Sequence, residues 1–412
     1  MGTEGTFQGP ICIGGMQRSG TSLIRATVGS HPDIALFQWD IGFWVDSYPG
    51  YRPLWGNTDN MVLAKHILYS LSASGNKQAY DLLDHKPDLE KVYRRFIESG
   101  VADTKDYDLF IGKINQAFFQ EYFKLRNRKI WGFKTPGNEF YAHPIDKAFP
   151  SVRFIHVIRN IHSTVSSMKK LNWLAPEDEA LVEYVLQWYR SLERLLMNRE
   201  RFPGRYLPIN YENFVADPEF YLRLICWFIG TEFSSDMEKM QRHPQWQGSS
   251  SAFELSSKQI SQHIASREIS NLTGHEYQLI EQIKKGYESN LEGLYGLSAP
   301  KAIEADFLIK TGQQILRDKE TFPVMELFKK AAQIDPSNDM AHLQLGRLHE
   351  RQGDLPKAFD AYVEAFRINP ARKKTILSFS RLLAPMGKRE MIREMFMGIN
   401  EKVPEEIQAM FP

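Results

Sequence analysis

Apolar residues run through Pro10–Gly15, and after a short polar stretch they recur at helical spacing over Thr21–Gly29. That pattern predicts a strand, a glycine turn and a helix whose first residues carry hydroxyls able to cap it. Asp33–Phe37, Lys129–Lys134, Val152–Ile158 and Arg205–Tyr211 read as further strands, and Val152–Ile158 has the strongest β character. Residues 57–128 read as mostly helical, with breaks at 72–75 and 86–87, and helices are expected over 161–170, 178–200 and 218–229. Strands alternating with helices predict a three-layer α/β domain with a central parallel sheet.

The pattern changes near residue 297, beyond which every segment reads as helix. Pro336, Pro370 and Pro404 recur at an interval of 34 residues, as do Phe328, Tyr362 and Phe396. The pairs Ala331 and Ala365, Ile334 and Ile368, and Gly353 and Gly387 keep the same spacing. A 34-residue helix-turn-helix period is that of tetratricopeptide repeats. The middle copy carries the fullest set of small and aromatic residues. In the flanking copies Lys319 stands where the middle has Gly353, and Ser380 where it has Gly346. The expected division is an α/β domain over residues 1–298 and about three helical repeats over 299–412.

Composition narrows the function. The 412 residues include 51 basic and 50 acidic ones, a net charge of +1. A nucleic-acid or anionic-membrane binder would show a basic excess. Two cysteines, Cys12 and Cys226, cannot build a disulfide framework and read as buried thiols. No apolar run reaches the length of a membrane span, and Met1–Pro10 lacks the features of a signal peptide. The expected setting is therefore soluble and cytoplasmic, with no transmembrane segment and no nucleic-acid partner.

The glycine turn carries the first chemistry. Gly15 and Gly20 have the Gly-x4-Gly spacing of a nucleotide-binding loop, between a strand and a helix N-terminus. Thr21 occupies the position of the lysine that reaches a γ-phosphate in ATP and GTP sites, and the cation has moved to Arg18. A guanidinium still grips a phosphate by paired hydrogen bonds. A second element follows the strand ending at Ile158. Arg159 lies at the strand's C-terminal end, the ligand edge of an open α/β sheet, and Ser167 lies on the next helix. The bland alternatives are a ligand-free turn, a surface arginine and a solvent-facing serine.

Arg18-Ser19-Gly20-Thr21-Ser22 after a strand, with Arg159 and Ser167 eight residues apart, resembles the sulfotransferases that use 3′-phosphoadenosine 5′-phosphosulfate (PAPS). The resemblance covers residues 9–295 and is closest to the bacterial and Golgi-type branch. It implies that the loop from Gly15 through Gln17, Arg18, Ser19, Gly20, Thr21 and Ser22 holds the 5′-phosphosulfate. It further implies that Arg159 and Ser167 hold the 3′-phosphate. Lys134 resembles the lysine near the sulfate bridge oxygen, Tyr211 a tyrosine that contacts the nucleotide, and Ser256 a serine on the donor's far side.

Sulfuryl transfer is an in-line displacement akin to phosphoryl transfer, so an acceptor hydroxyl or amine must lose a proton to a base. Arg18 and Lys134 can supply the positive charge, and no metal is expected. In the branch the base is a glutamate following a His-Pro-Asp segment. Here that segment is His31-Pro32-Asp33, and Asp40 is the carboxylate that follows it, one residue beyond the branch's glutamate and one methylene shorter. Neighbouring Phe37, Trp39, Phe43 and Trp44 are expected to strip water from Asp40 and make it more basic. His66 and His85 are the alternative bases. The acceptor wall is expected in the insert between Asp40 and Lys129, with Tyr48, Tyr51, Trp55, Phe118, Phe119 and Tyr122. Carbohydrates, small molecules and protein tyrosines all remain open as acceptors. The repeats are expected to recruit a protein or peptide partner, with self-association of the repeat region equally open. The competing readings are a P-loop small-molecule kinase and a non-catalytic nucleotide-binding adaptor.

Overall fold

The structure is a computed structural model. It describes residues 9–40, 42–70, 86–124, 128, 130–172, 174–238, 271–295, 300–318 and 323–410. Ser256, His85 and Lys319 lie outside the described residues. The chain divides into two compact units, Met1–Tyr295 and Gly296–Pro412.

In the first unit, β1 (Pro10–Gly14) leads through the glycine turn into α1 (Thr21–Gly29), and β2 (Ile34–Asp40) follows. A short helical stretch with α2 (Tyr48–Tyr51), then α3 (Asn60–Ser70), α4 (Leu89–Glu98) and α5 (Tyr107–Lys124), leads to β3 (Ile130–Lys134). Next come α6 (Ala142–Ala148), β4 (Arg153–Ile158), α7 (Ile161–Lys170), α8 (Asp178–Arg201) and β5 (Tyr206–Asn210). The unit closes with α9 (Tyr211–Ala216), α10 (Pro218–Ile229) and α11 (Gly274–Tyr295).

The five strands form one sheet in the order β2-β3-β1-β4-β5, and every neighbouring pair is parallel. β1, β4 and β5 are buried along nearly their whole length, so they read as continuous apolar runs and not as alternating ones. From β1 the chain crosses to the β2 edge, and after β3 it crosses to the β4 and β5 edge. Right-handed crossovers in opposite directions carry helices to both faces. The reversal opens a crevice between β1 and β4 at their C-terminal ends, where such sheets bind ligands.

His31 explains its own place in the turn before β2. Its Nδ1 accepts from Asp33 N–H at 3.0 Å, and its Nε2 donates to the Glu232 carbonyl at 2.8 Å. The His-Pro-Asp segment is therefore a brace between the α1–β2 turn and the chain after α10. Both cysteines are buried and free. Burial pushes the Cys12 thiol well above its ordinary range, with Glu139 adding to the effect.

The second unit is helical throughout its described elements: α12 (Pro300–Asp318), α13 (Val324–Ile334), α14 (Asp339–Arg351), α15 (Leu355–Ile368), α16 (Lys373–Leu383) and α17 (Arg389–Met397), with one short turn beyond. Its period is visible in the packing. A Cβ on Gly312 would lie 2.5 Å from the Phe328 ring, and one on Gly346 would lie 2.5 Å from the Tyr362 ring. The third position of this series, Ser380, is wholly buried, as is Phe396. The first two helical hairpins thus seat an aromatic ring of the second helix against a glycine of the first. Among the described residues no helix is long and apolar enough to cross a membrane, and no group of three His, Cys, Asp or Glu is placed to hold a metal.

Candidate active site

The loop between β1 and α1 is shaped by backbone conformations that few side chains tolerate. Gly15 has φ +128°, Arg18 +65° and Gly20 +98°. A Cβ on Gly20 would fall 2.1 Å from the Tyr211 ring, so the glycine is required by contact as well as by conformation. No side chain caps α1, which begins at Thr21. Its first amides and the positive end of the helix dipole are directed into the crevice.

The two elements read from the sequence meet here. Arg18 Nε donates to Ser167 Oγ at 2.9 Å, and an Arg159 terminal N–H donates to the Arg18 carbonyl at 3.0 Å. The left-handed backbone at Arg18 helps turn that carbonyl toward Arg159. The Arg159 guanidinium lies 4.6 Å over the Tyr211 ring, and Trp188 Nε1 donates to the Arg159 carbonyl at 3.0 Å. Arg159 Nε is buried with no hydrogen-bond partner among the described residues. Such an orphaned charged donor, beside a second arginine and a helix N-terminus, fits an anion.

A second group lies at the other side of β1. Lys134 ends β3 and is paired in register with Asp40 at the end of β2. Its Nζ is bonded to the Asp40 carboxylate and lies 3.2 Å from Ser22 Oγ. Lys134 is 3% exposed, whereas the Asp40 side chain is 51% exposed. Burial lowers the Lys134 pKa from the ordinary lysine range, and the Asp40 charge opposes that shift. The aromatic shell expected around Asp40 does not form among the described side chains. Phe37, Phe43 and Trp44 are buried in the core, and the Asp40 carboxylate faces water. An irregularity in the β2–β3 register between Leu36 and Asp40 separates the two environments.

The acceptor wall is also smaller than the sequence suggested. Phe118, Phe119 and Tyr122 are wholly buried and pack on Phe37, with ring centroids 5.9, 5.6 and 4.7 Å away. They are core. Tyr48, Tyr51 and Trp55 remain partly exposed. His66 lies exposed on α3.

Four residues around the site escaped the sequence reading. Tyr184 donates to the Gln17 carbonyl at 2.7 Å, and Trp188 holds the Arg159 backbone, both from α8. Arg25 lies on α1 three residues beyond Ser22. Burial lowers its pKa, the Asp40 charge opposes this, and its Nε is buried without a hydrogen-bond partner among the described residues. The one charged residue within α1 was the available signal for Arg25. Glu139 accepts the Gly15 N–H at 2.8 Å from beneath the loop.

With this geometry in view, comparison with known proteins is decisive about kinship. Residues 10–235 match the model of the Sulfotransferase family. The chain belongs to that family. It is 24% identical over 224 residues to protein-tyrosine sulfotransferase 1 of Danio rerio, covering 53% of this chain and 52% of that protein. It is 25% identical over 154 residues to the omega-hydroxy-beta-dihydromenaquinone-9 sulfotransferase Stf3 of Mycobacterium bovis, covering 35% of this chain and 39% of that one. The chain thus spans about half or less of the length of these relatives. The sulfotransferase domain of the Synechococcus PCC 7002 olefin synthase aligns over 69% of this chain and 98% of its own, at 16% identity and a TM-score of 0.43.

Proposed function

We propose that this chain transfers a sulfuryl group from PAPS to a hydroxyl or amine of an acceptor. The observation that carries the reading is the meeting of Arg18, Ser167 and Arg159 at the β1/β4 crevice, with the Lys134–Asp40 pair alongside. The matched family stretch includes all of these residues.

PAPS supplies an activated sulfuryl group on a 5′-phosphate leaving group. The loop from Gly15 to Ser22 would hold the 5′ end, with Arg18 stabilising the charge. Arg159, braced on Tyr211, and Ser167 would hold the 3′-phosphate. Lys134 would neutralise charge developing on the leaving oxygen. Asp40 would take the acceptor's proton. In this structure its carboxylate is tied to Lys134, so the two roles require the pair to part. Arg25 is a further cation coupled to Asp40, and it would keep the carboxylate company once Lys134 turns to the donor.

The second unit reads as a tetratricopeptide-type array, supported by the recurring contact of a small residue with an aromatic ring. Such arrays present concave surfaces to peptides, so recruitment of a protein acceptor or partner is its proposed task. A kinase reading gains no support, because Thr21 stands at the Walker lysine position and Lys134 is engaged with Asp40.

The test is a screen of carbohydrate, small-molecule and tyrosyl-peptide acceptors with sulfur-labelled PAPS and the full chain. Label transfer to any acceptor class supports the proposal. Absence of transfer to all of them, together with phosphate transfer from ATP, would replace it with the kinase reading.

A further inference from the structure

A chain of wholly buried polar groups runs beneath the phosphate loop, and the proposed chemistry makes no use of it. Glu139, Asn198, Ser191, His156 and Tyr206 are each at most 6% exposed. They come from the turn after β3, from α8, and from β4 and β5. Glu139 Oε2 accepts from Gly15 N–H at 2.8 Å, and Oε1 accepts from the Ser191 hydroxyl at 2.7 Å. Ser191 Oγ lies 3.1 Å from His156 Nε2, and His156 Nδ1 lies 2.8 Å from the Tyr206 hydroxyl. The Asn198 amide donates to the Glu139 carbonyl at 2.8 Å and to the Tyr206 oxygen at 3.3 Å.

The proton directions follow from these partners. The Ser191 proton goes to the carboxylate, so Ser191 must accept from His156 Nε2–H. A neutral His156 then has a lone pair at Nδ1, which accepts the Tyr206 proton. The Tyr206 oxygen in turn accepts from Asn198. Burial lowers the His156 pKa from its ordinary value and raises that of Tyr206 well above its own, so both stay neutral as this arrangement needs. Every donor points toward Glu139, whose two oxygens act only as acceptors. The chain thereby fixes the carboxylate, and the carboxylate fixes the Gly15 amide.

Gly15 is the first residue of the loop with positive φ, at +128°. A Cβ there would fall 2.3 Å from the Val157 carbonyl, and one on Gly14 would fall 3.0 Å from Glu139 Oε2. The two glycines allow the loop to lie directly on β4 and on this carboxylate. A negative charge behind an anion site opposes anion binding, so its place there calls for a compensating gain. We propose that Glu139 is a positioning residue. Its carboxylate turns the Gly15 amide inward and holds the loop in its anion-binding shape before any ligand arrives. The inference rests on the reading of this loop as the donor-phosphate site.

The test uses the full chain without ligand and reads amide hydrogen exchange at Gly15, with β5 amides as the internal control. Glu139→Ala is expected to speed Gly15 exchange by about 10–100-fold beyond any change in β5, the worth of one or two units of log K for a lost charged hydrogen bond. In the same variant, binding of 3′,5′-adenosine bisphosphate should weaken by roughly 10-fold or more while the KM for acceptor holds within about 3-fold. Glu139→Gln keeps an acceptor for Gly15 and should recover most of both. Gly15 exchange that changes only in step with β5, or a Gln variant no better than the Ala variant, would overturn the proposal. Should the unsubstituted protein bind no adenosine bisphosphate, the donor reading fails, and the exchange measurement still judges Glu139 by itself.

Discussion

Asp40 and Glu139 are two carboxylates at the same sheet edge with opposite surroundings. Asp40 ends β2 with its side chain half in water and one buried ammonium for a partner. Glu139 follows β3, is 2% exposed and is held by an amide and a hydroxyl with no cation bonded to it among the described residues. The first is open to solvent, which is what its proposed role as the acceptor's base requires. The second cannot, and its worth lies in geometry. On the proposed reading the two carboxylates divide into a chemical and an architectural role, and it is access rather than residue type that divides them.

Substitutions should separate the two. Asp40→Asn is expected to lower turnover by roughly 10²–10⁴ while leaving affinity for 3′,5′-adenosine bisphosphate nearly intact. Steady-state kinetics beside calorimetry checks this, and normal turnover would remove the base assignment. The pH dependence sharpens the same contrast through Lys134. Burial lowers its pKa, so the ammonium that the proposed reaction would use is lost as pH rises through a limb below the ordinary lysine value. Stability moves the other way over that window, because the unfolded chain keeps its proton to higher pH than the folded one. An activity profile and a denaturation series between pH 7 and 11 should therefore diverge, and parallel curves would deny Lys134 its part. On the architectural side, Ser191→Ala should cost about 1–2 kcal/mol in urea unfolding with turnover little changed. Ser167→Ala should be mildest, weakening adenosine bisphosphate binding by roughly 3–10-fold through one lost hydrogen bond. An effect as large as that of Asp40→Asn would move Ser167 to the centre of the site.

The sequence made much of this legible, and unevenly so. Apolar runs between glycine turns located all five strands, and helices 161–170 and 218–229 have the observed limits. Arg18 and Ser167 could be read because strand, turn and helix order confine them to one edge. Phe37, Phe43 and Trp44 neighbour Asp40 in sequence but are buried in the core, and the Trp39 side chain lies outside the described ones. Helix α5 draws Phe37 toward Phe118, Phe119 and Tyr122 and leaves the carboxylate outside. Glu139 left no signal at all. Its partners lie 124 and 52 residues away, and only the folded sheet brings them together. In the second unit the period is legible in prolines and aromatics, while the need for glycine at Gly312 lies in its contact with the Phe328 ring.

The central claim is a site for a donor bearing phosphates at both ends of its ribose, and calorimetric titration of the full chain with 3′,5′-adenosine bisphosphate and with AMP tests it most directly. The account predicts tighter binding of the bisphosphate by about 10–100-fold, the worth of a charged hydrogen-bonded phosphate, and collapse of that preference in Arg159→Ala. Equal affinity for the two nucleotides in the unsubstituted protein would contradict it.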